Sequence, residues 1–177
     1  MISSIKTFLY ACALIAFMGT SSLAFEKEAF EKLAKDTIKQ VISGSIADID
    51  GLIAIQEKMI ALGVEGCKMY VSKAPDAKDK KIMELVIGGA EKMKGMTMDE
   101  IEEAWHDGGV LGKNGIDADS IGMGQTMSLM DSVIHPATTY IALKEYKKTK
   151  DKALLDQVKD ELTAVLEHNK MIKTMPH

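Results

Sequence analysis

The chain contains no arginine: all 22 of its basic residues are lysines, set against 26 acidic residues for a net charge of −4. Arginine can grip a phosphate group or a guanine edge with two hydrogen bonds at once, which lysine cannot do. A nucleic-acid partner is therefore not expected for this acidic chain. Anionic membrane surfaces are disfavoured for the same electrostatic reason.

Cysteine and aromatic residues are scarce. The chain has two cysteines, and Cys12 lies in a predicted leader, so Cys67 has no partner for an intramolecular disulfide. We expect Cys67 to be a small buried apolar group. Aromatic residues make up only 5% of the chain, whereas methionine occurs 13 times. Methionine fills irregular gaps but specifies shape weakly, so the core is expected to adapt easily to a ligand.

The familiar catalytic and cofactor motifs are missing as well. The chain has no HExxH, GxSxG, phosphate loop or CxxCH motif. Glu103 and His106 have the ExxH spacing of di-iron bundles, but such sites need a second pair. His135 and His168 have Ser132 and Val165 three residues earlier, so that pair is absent. We therefore expect a non-catalytic protein.

The first 24 residues are predicted to be a cleaved signal peptide. Lys6 precedes an apolar run, and Ser22 and Ala24 occupy the −3 and −1 positions of a signal-peptidase site. The run is shorter than the roughly 20 apolar residues that span a bilayer. The prediction is a periplasmic or secreted protein that starts at Phe25, with residues 25–177 forming one domain and no stable membrane insertion after cleavage.

The rest of the chain shows helical periodicity and no sustained period-two alternation. We predict a single all-α domain, a bundle of five to seven helices. The predicted helices span residues 25–41, 46–62, 64–71, 79–93, 98–106, 119–146 and 153–168. Gly63 is expected to end the second of them, and Gly88-Gly89 to mark a close helix crossing.

The longest helical pattern, residues 119–146, contains His135-Pro136 at its middle. Pro136 has no N–H for the Ser132 carbonyl, so the helix is expected to kink or restart there. Such a break would bring an imidazole, a free carbonyl and an apolar stripe together, with the Trp105-His106 pair as a second wall. The candidate ligand-binding residues are Trp105, His106, Met127, Met130 and His135.

These patterns favour an exported soluble helical module that binds a small ligand or a partner protein. The alternative is a metal-binding or haem-binding protein. The M-x-x-M-x-M spacing at a helix junction could bring thioethers together for Cu(I). The alternative metal-ligand set is therefore Met93, Met96, Met98 and His135. A non-covalently bound haem, held by His135 and a core methionine, is the other cofactor considered. The oligomeric state is not predicted.

Overall fold

The computed structural model describes residues 26–44, 46–73 and 75–172 of the 177. These residues form seven α-helices and no strand, which confirms the predicted all-α bundle. The helices are α1 (Lys27–Ile42), α2 (Ile49–Ser72), α3 (Ala77–Met93), α4 (Met98–Ile101), α5 (Gly109–Lys113), α6 (Gln125–Thr149) and α7 (Ala153–His168). A π-helical turn (Glu102–His106) follows α4, and single 3₁₀ turns occur at Ala118–Ser120 and Asn169–Met171. The predicted signal peptide, residues 1–24, lies outside the described part of the chain.

None of the described helices combines the length and the apolar character that crossing a bilayer requires.

Helix α6 is the central helix of the bundle. It packs against α2, α3 and α7, and almost every residue from Thr126 to Leu143 is buried. A helix that is covered on all sides must bury whatever polar residues it carries. Asp131 and His135 are therefore placed in the interior by the position of α6, although neither is apolar.

The helix does not restart at Pro136, because α6 is continuous from Gln125 to Thr149. It also begins at Gln125 instead of Asp119, after the Ala118–Ser120 turn. The Ser132 carbonyl, which Pro136 cannot bond, faces Gly63 of α2 so closely that a Cβ at Gly63 would collide with it. The position that a side chain would take holds only a hydrogen, which can form a weak C–H···O contact with that carbonyl. Gly63 therefore allows α2 and α6 to approach each other closely.

This contact explains an error in the predicted boundaries. Gly63 does not end the second helix: α2 runs without interruption from Ile49 to Ser72 and absorbs the segment predicted as a separate helix. The glycine signal was read as a helix stop, whereas its physical cause is a neighbouring backbone. By contrast, the predicted last helix, residues 153–168, matches α7.

The capping box at the start of α4 forms as its sequence indicates. The Thr97 hydroxyl accepts from the Glu100 N–H at 3.2 Å, and the Thr97 N–H donates to the Glu100 carboxylate at 2.8 Å. Directly after α4 the helix widens into the π turn, where the Asp107 N–H donates to the Glu102 carbonyl at 2.9 Å. Trp105 and His106 lie on this turn, and π turns are frequent at functional sites.

Candidate functional site

Three of the chain's four histidines lie side by side. His106 ends the π turn, His135 lies in the middle of α6, and His168 is the last residue of α7. The ring centroids of His106 and His135 are 5.3 Å apart, and those of His135 and His168 are 5.7 Å apart. The fourth, His177, lies outside the described residues. Histidines from three separate segments therefore form one cluster with His135 at its centre.

Two carboxylates join the histidines through helix periodicity. Asp131 and His135 are one turn apart on α6, while Glu161 and His168 are two turns apart on α7. Since α6 and α7 pack against each other, the two pairs meet. The Ser128 hydroxyl donates to the His168 carbonyl at 2.8 Å and fastens the end of α7 to α6.

Glu161 fixes the His135 ring. Its carboxylate oxygen Oε2 is 2.6 Å from His135 Nδ1, and both side chains are largely buried. A carboxylate accepts here, so Nδ1 carries the hydrogen and a neutral ring keeps its lone pair on Nε2. A carboxylate on the far nitrogen is the usual partner of a metal-ligating histidine, because it fixes the tautomer and the ring orientation.

The His106 ring is held by α6. Its Nε2 is 3.1 Å from Thr138 Oγ1, and that hydroxyl lies 3.1 Å from the Ile134 carbonyl, to which it donates. Because Thr138 uses its only hydrogen on that carbonyl, His106 Nε2 is the donor of the other bond. The same nitrogen is 4.0 Å from Glu161 Oε2. In this arrangement, His106 therefore presents an N–H on that side, which leaves no lone pair there.

His168 and Asp131 make the closest contact in the cluster. His168 Nδ1 lies 2.5 Å from Asp131 Oδ2, yet the pair lacks the angles of a normal hydrogen bond. Both atoms are buried, and neither has another hydrogen-bond partner among the described residues. The Asp131 carboxylate raises the pKa of His168, while partial burial of the ring acts in the opposite direction.

The five side chains form two overlapping donor groups that share His135. One group is His106, His135 and Glu161; the other is Asp131, His135 and His168. Within each group, one possible ligand atom per residue lies within 4.8 Å of the others. Each group offers two imidazoles and one carboxylate, a donor set that suits divalent first-row transition metals.

Four of the five side chains, all except Glu161, line a cavity of about 230 Å³. The five residues predicted from the sequence to bind a ligand all line it: Trp105, His106, Met127, Met130 and His135. Asp131 and His168 line it as well, and the remaining lining residues are Leu111, Ala118, Ile121, Met123 and Ile134. The buried indole N–H of Trp105 has no acceptor among the described residues. The cavity thus combines four polar donor side chains with a lining that is otherwise mostly apolar.

The alternative metal-ligand set is not brought together. Met93 is fully buried in the core, while Met96 and Met98 line a separate groove of about 530 Å³. The other walls of that groove include Lys94, Lys144 and Lys148, and His135 is not among its described lining residues. The compact M-x-x-M-x-M spacing therefore does not converge on the imidazole with which it was grouped.

Asp131, Glu161 and His168 were missed as candidate site residues. The sequence does carry a signal for the first of them, because Asp131 and His135 are four residues apart on a long helical pattern. The sequence-based argument rests on the three-residue ExxH spacing of Glu103 and His106, and it rejects a di-iron site because a second pair is absent. Glu103 is exposed and belongs to neither donor group in the described residues.

No family model, no curated protein and no solved structure matches the chain.

Proposed function

We propose that this protein binds one divalent first-row transition metal ion through Asp131, His135 and His168. The observation that carries the proposal is the meeting of three histidines and two carboxylates at one buried point between the π turn, α6 and α7. Buried ionisable groups are costly unless they are paired or hold a metal. Four of these five groups line a cavity whose other residues are mostly apolar.

Two contacts favour the Asp131 side over the His106 side. Glu161 engages His135 Nδ1, which leaves Nε2 with the lone pair that a metal needs. His106 Nε2 donates to Thr138, so it is not free to coordinate in this arrangement. Glu161 and His106 are then positioning residues, which hold the His135 ring and the edge of the site in place.

The distance between Asp131 and His168 requires only a small opening. Ligand atoms about 2.1 Å from an ion stand roughly 3.0–3.4 Å apart in octahedral or tetrahedral geometry. His168 Nδ1 and Asp131 Oδ2 are 2.5 Å apart, so they must separate by about 0.5–0.9 Å to admit an ion. A rotation of either side chain supplies such a change without movement of a helix.

The other cofactors considered from the sequence have less support. A haem has four pyrrole rings, whereas a cavity of roughly 150 Å³ is filled by one benzene molecule, and this cavity measures about 230 Å³. Cu(I) prefers sulfur ligands, but Met96 and Met98 lie in the separate groove. The nitrogen and oxygen donors of the cluster suit Mn²⁺, Fe²⁺, Co²⁺, Ni²⁺ or Zn²⁺.

The proposal includes export. The support is the leader pattern of residues 1–24, with Ser22 and Ala24 at the cleavage positions. The place of action would then be the periplasm or the exterior. Detection of the intact leader on protein recovered from outside the cytoplasm would count against cleavage after Ala24.

Metal binding is tested on protein stripped with a chelator and dialysed against each divalent ion in turn, followed by elemental analysis. The expected result is one equivalent of bound metal for the native chain and none for His135→Ala, which removes the residue common to both donor groups. Because Trp105 is the only tryptophan and lines the same cavity, Co²⁺ or Ni²⁺ should also quench its fluorescence.

His177→Ala is the matched control, since it removes the one histidine that lies beyond the described residues. It should bind metal as the native chain does. If His177→Ala and His135→Ala retain metal equally, with circular dichroism unchanged in both, the cluster is not the site. If the native chain binds no ion tightly enough to survive desalting, the cluster is a set of ion pairs only.

A further inference from the structure

We propose that the open coordination positions of the metal face the 230 Å³ cavity, and that the cavity takes a neutral, mostly apolar molecule of about benzene size that coordinates the ion through one atom. This inference rests on the proposed metal site. The inference assigns a role to the metal, because a bound ion would let the cavity recognise a donor atom of its occupant.

The first support is the position of the three ligands. Asp131, His135 and His168 all line the cavity, whereas Glu161, which holds His135 from the other side, does not. Three protein ligands leave at least one coordination position unfilled in tetrahedral geometry and three in octahedral geometry. The space beside the ligands is the cavity, so the unfilled positions open into it.

The second support is the chemistry of the rest of the lining. It includes Ile121, Met127, Met130 and the Trp105 ring, which favour an apolar body. Of the described residues around the cavity, none is a lysine and one is an acid, Asp131. A bound divalent ion would be balanced by Asp131 and by Glu161 behind His135, so no net charge remains to attract an anion and a neutral occupant is favoured. Methionine side chains adjust their shape readily, so the wall tolerates some variation in the occupant.

The cavity has an entrance. Met123 lies between Gly122 and Gly124 and lines the cavity, yet 63% of it is exposed to solvent. A side chain that is both part of the wall and open to solvent marks the side from which a small molecule enters.

The volume of the cavity limits the size of the occupant. It exceeds the roughly 150 Å³ that holds one benzene molecule but is below what two such rings need.

The test uses the Co²⁺-loaded full chain and pyridine as the probe, because pyridine is a neutral six-membered ring with one coordinating atom. In the native protein, pyridine should shift the visible Co²⁺ absorption bands in a saturable titration. Met127→Trp should fill the cavity while leaving every proposed metal ligand in place. Its Co²⁺ content should stay at one equivalent, and its affinity for pyridine should fall at least tenfold.

Met96→Trp is the matched control, since it makes the same substitution in the separate groove. It should bind Co²⁺ and pyridine as the native chain does. The inference is overturned if the native Co²⁺ protein shows no pyridine response, or if Met127→Trp responds with native affinity. Either result leaves the metal site standing, because the Co²⁺ content is measured separately; absence of bound Co²⁺ in the native chain overturns both.

Discussion

Two methionine-lined openings occur in this bundle, and they differ in what surrounds the sulfur atoms. The groove of Met96 and Met98 is the larger, about 530 Å³ against about 230 Å³, and its charged lining residues are Lys94, Asp99, Lys144, Glu145 and Lys148. The cavity of Met127 and Met130 is lined by three imidazoles and a carboxylate as well. The thioethers of the groove come from one helix junction, whereas the imidazoles of the cavity come from the π turn, α6 and α7.

The difference teaches that a local cluster of one residue type is a weaker indication of a site than convergence. Three lysines face two acids around the groove, so its charges do not favour a metal cation. Beside the cavity, the carboxylates of Asp131 and Glu161 attract a cation, and Glu161 holds the His135 ring in a defined orientation. We therefore propose the metal site at the smaller opening.

The largest expected effect distinguishes the two carboxylates beside His135, those of Asp131 and Glu161. Asp131→Asn removes a proposed ligand charge and should weaken metal binding by about 100-fold or more, since even outer-shell changes cost 10–100-fold. Glu161→Gln keeps a hydrogen-bonding group near His135 Nδ1 and should weaken binding by only about 10-fold. Isothermal titration with Zn²⁺ measures both. The opposite order would place the ion between His106, His135 and Glu161.

The next effect concerns the helix that carries the cavity. Gly63→Ala would push a methyl group into the Ser132 carbonyl, next to Asp131, and should lower the free energy of unfolding by about 1–3 kcal/mol. Gly88→Ala, a change in α3 with open space around it, should instead stabilise by roughly 0.5–1 kcal/mol. Urea denaturation of both variants gives the comparison. Equal stability of the two would mean that α2 and α6 separate easily.

The same residues show how far the sequence could predict this molecule. Helical periodicity gave the fold class and the limits of α7, because both depend on local side-chain spacing. The break expected at Pro136, with Trp105-His106 as a second wall, selected five residues of the cavity, although α6 does not restart there. Whether that selection marks a binding site stays a prediction.

The remainder depended on packing between distant segments. Gly63 could be recognised as a helix interior residue only once Ser132 was known to lie against it. Glu161 and His168 carry no mark of their role within α7, whose pattern is that of an ordinary amphipathic helix. Their partners lie on α6, more than 20 residues away in sequence, and no local spacing rule connects them.

A smaller effect is expected at the indole wall of the cavity. Gly89→Ala would place a methyl group against the six-membered ring of Trp105 and force the indole to move. The sequence predicted a helix crossing at this glycine pair, and the neighbour is the Trp105 ring. The variant should shift the Trp105 emission maximum and lower stability by about 1 kcal/mol. Gly88→Ala serves as the control, and an unchanged emission spectrum in Gly89→Ala would argue against tight packing of the indole.

The Cys67 thiol, another soft donor, should take no part in binding at either opening. Cys67 is fully buried and lines neither one; burial raises the pKa of its thiol to about 12. At pH 8 it should therefore resist iodoacetamide in the folded state and react fully in urea, with or without metal. Because the native thiol holds its proton longer, its stabilising contribution is complete below the unfolded pKa of about 8.5 and is lost as the pH rises towards about 12. Labelling of the folded protein at pH 8 would contradict the burial.

The smallest expected effect tests the comparison itself. Met96→Leu combined with Met98→Leu removes both thioethers of the groove while keeping apolar side chains of similar volume, so stability should change by less than about 1.5 kcal/mol per substitution. If binding depends on converging imidazoles and carboxylates, affinity for Zn²⁺ and Co²⁺ should be unchanged, because neither methionine lines the cavity. The matched double variant is Met127→Leu with Met130→Leu, which alters the cavity wall and should change the Co²⁺ spectrum with pyridine but not the metal content.

A Cu(I) titration of both double variants under reducing conditions is the decisive experiment, since thioethers prefer that ion. Loss of Cu(I) binding in the groove variant alone would show that the lysine-lined groove holds a soft metal after all. The two openings would then be two metal sites of different chemistry, and convergence would no longer distinguish them.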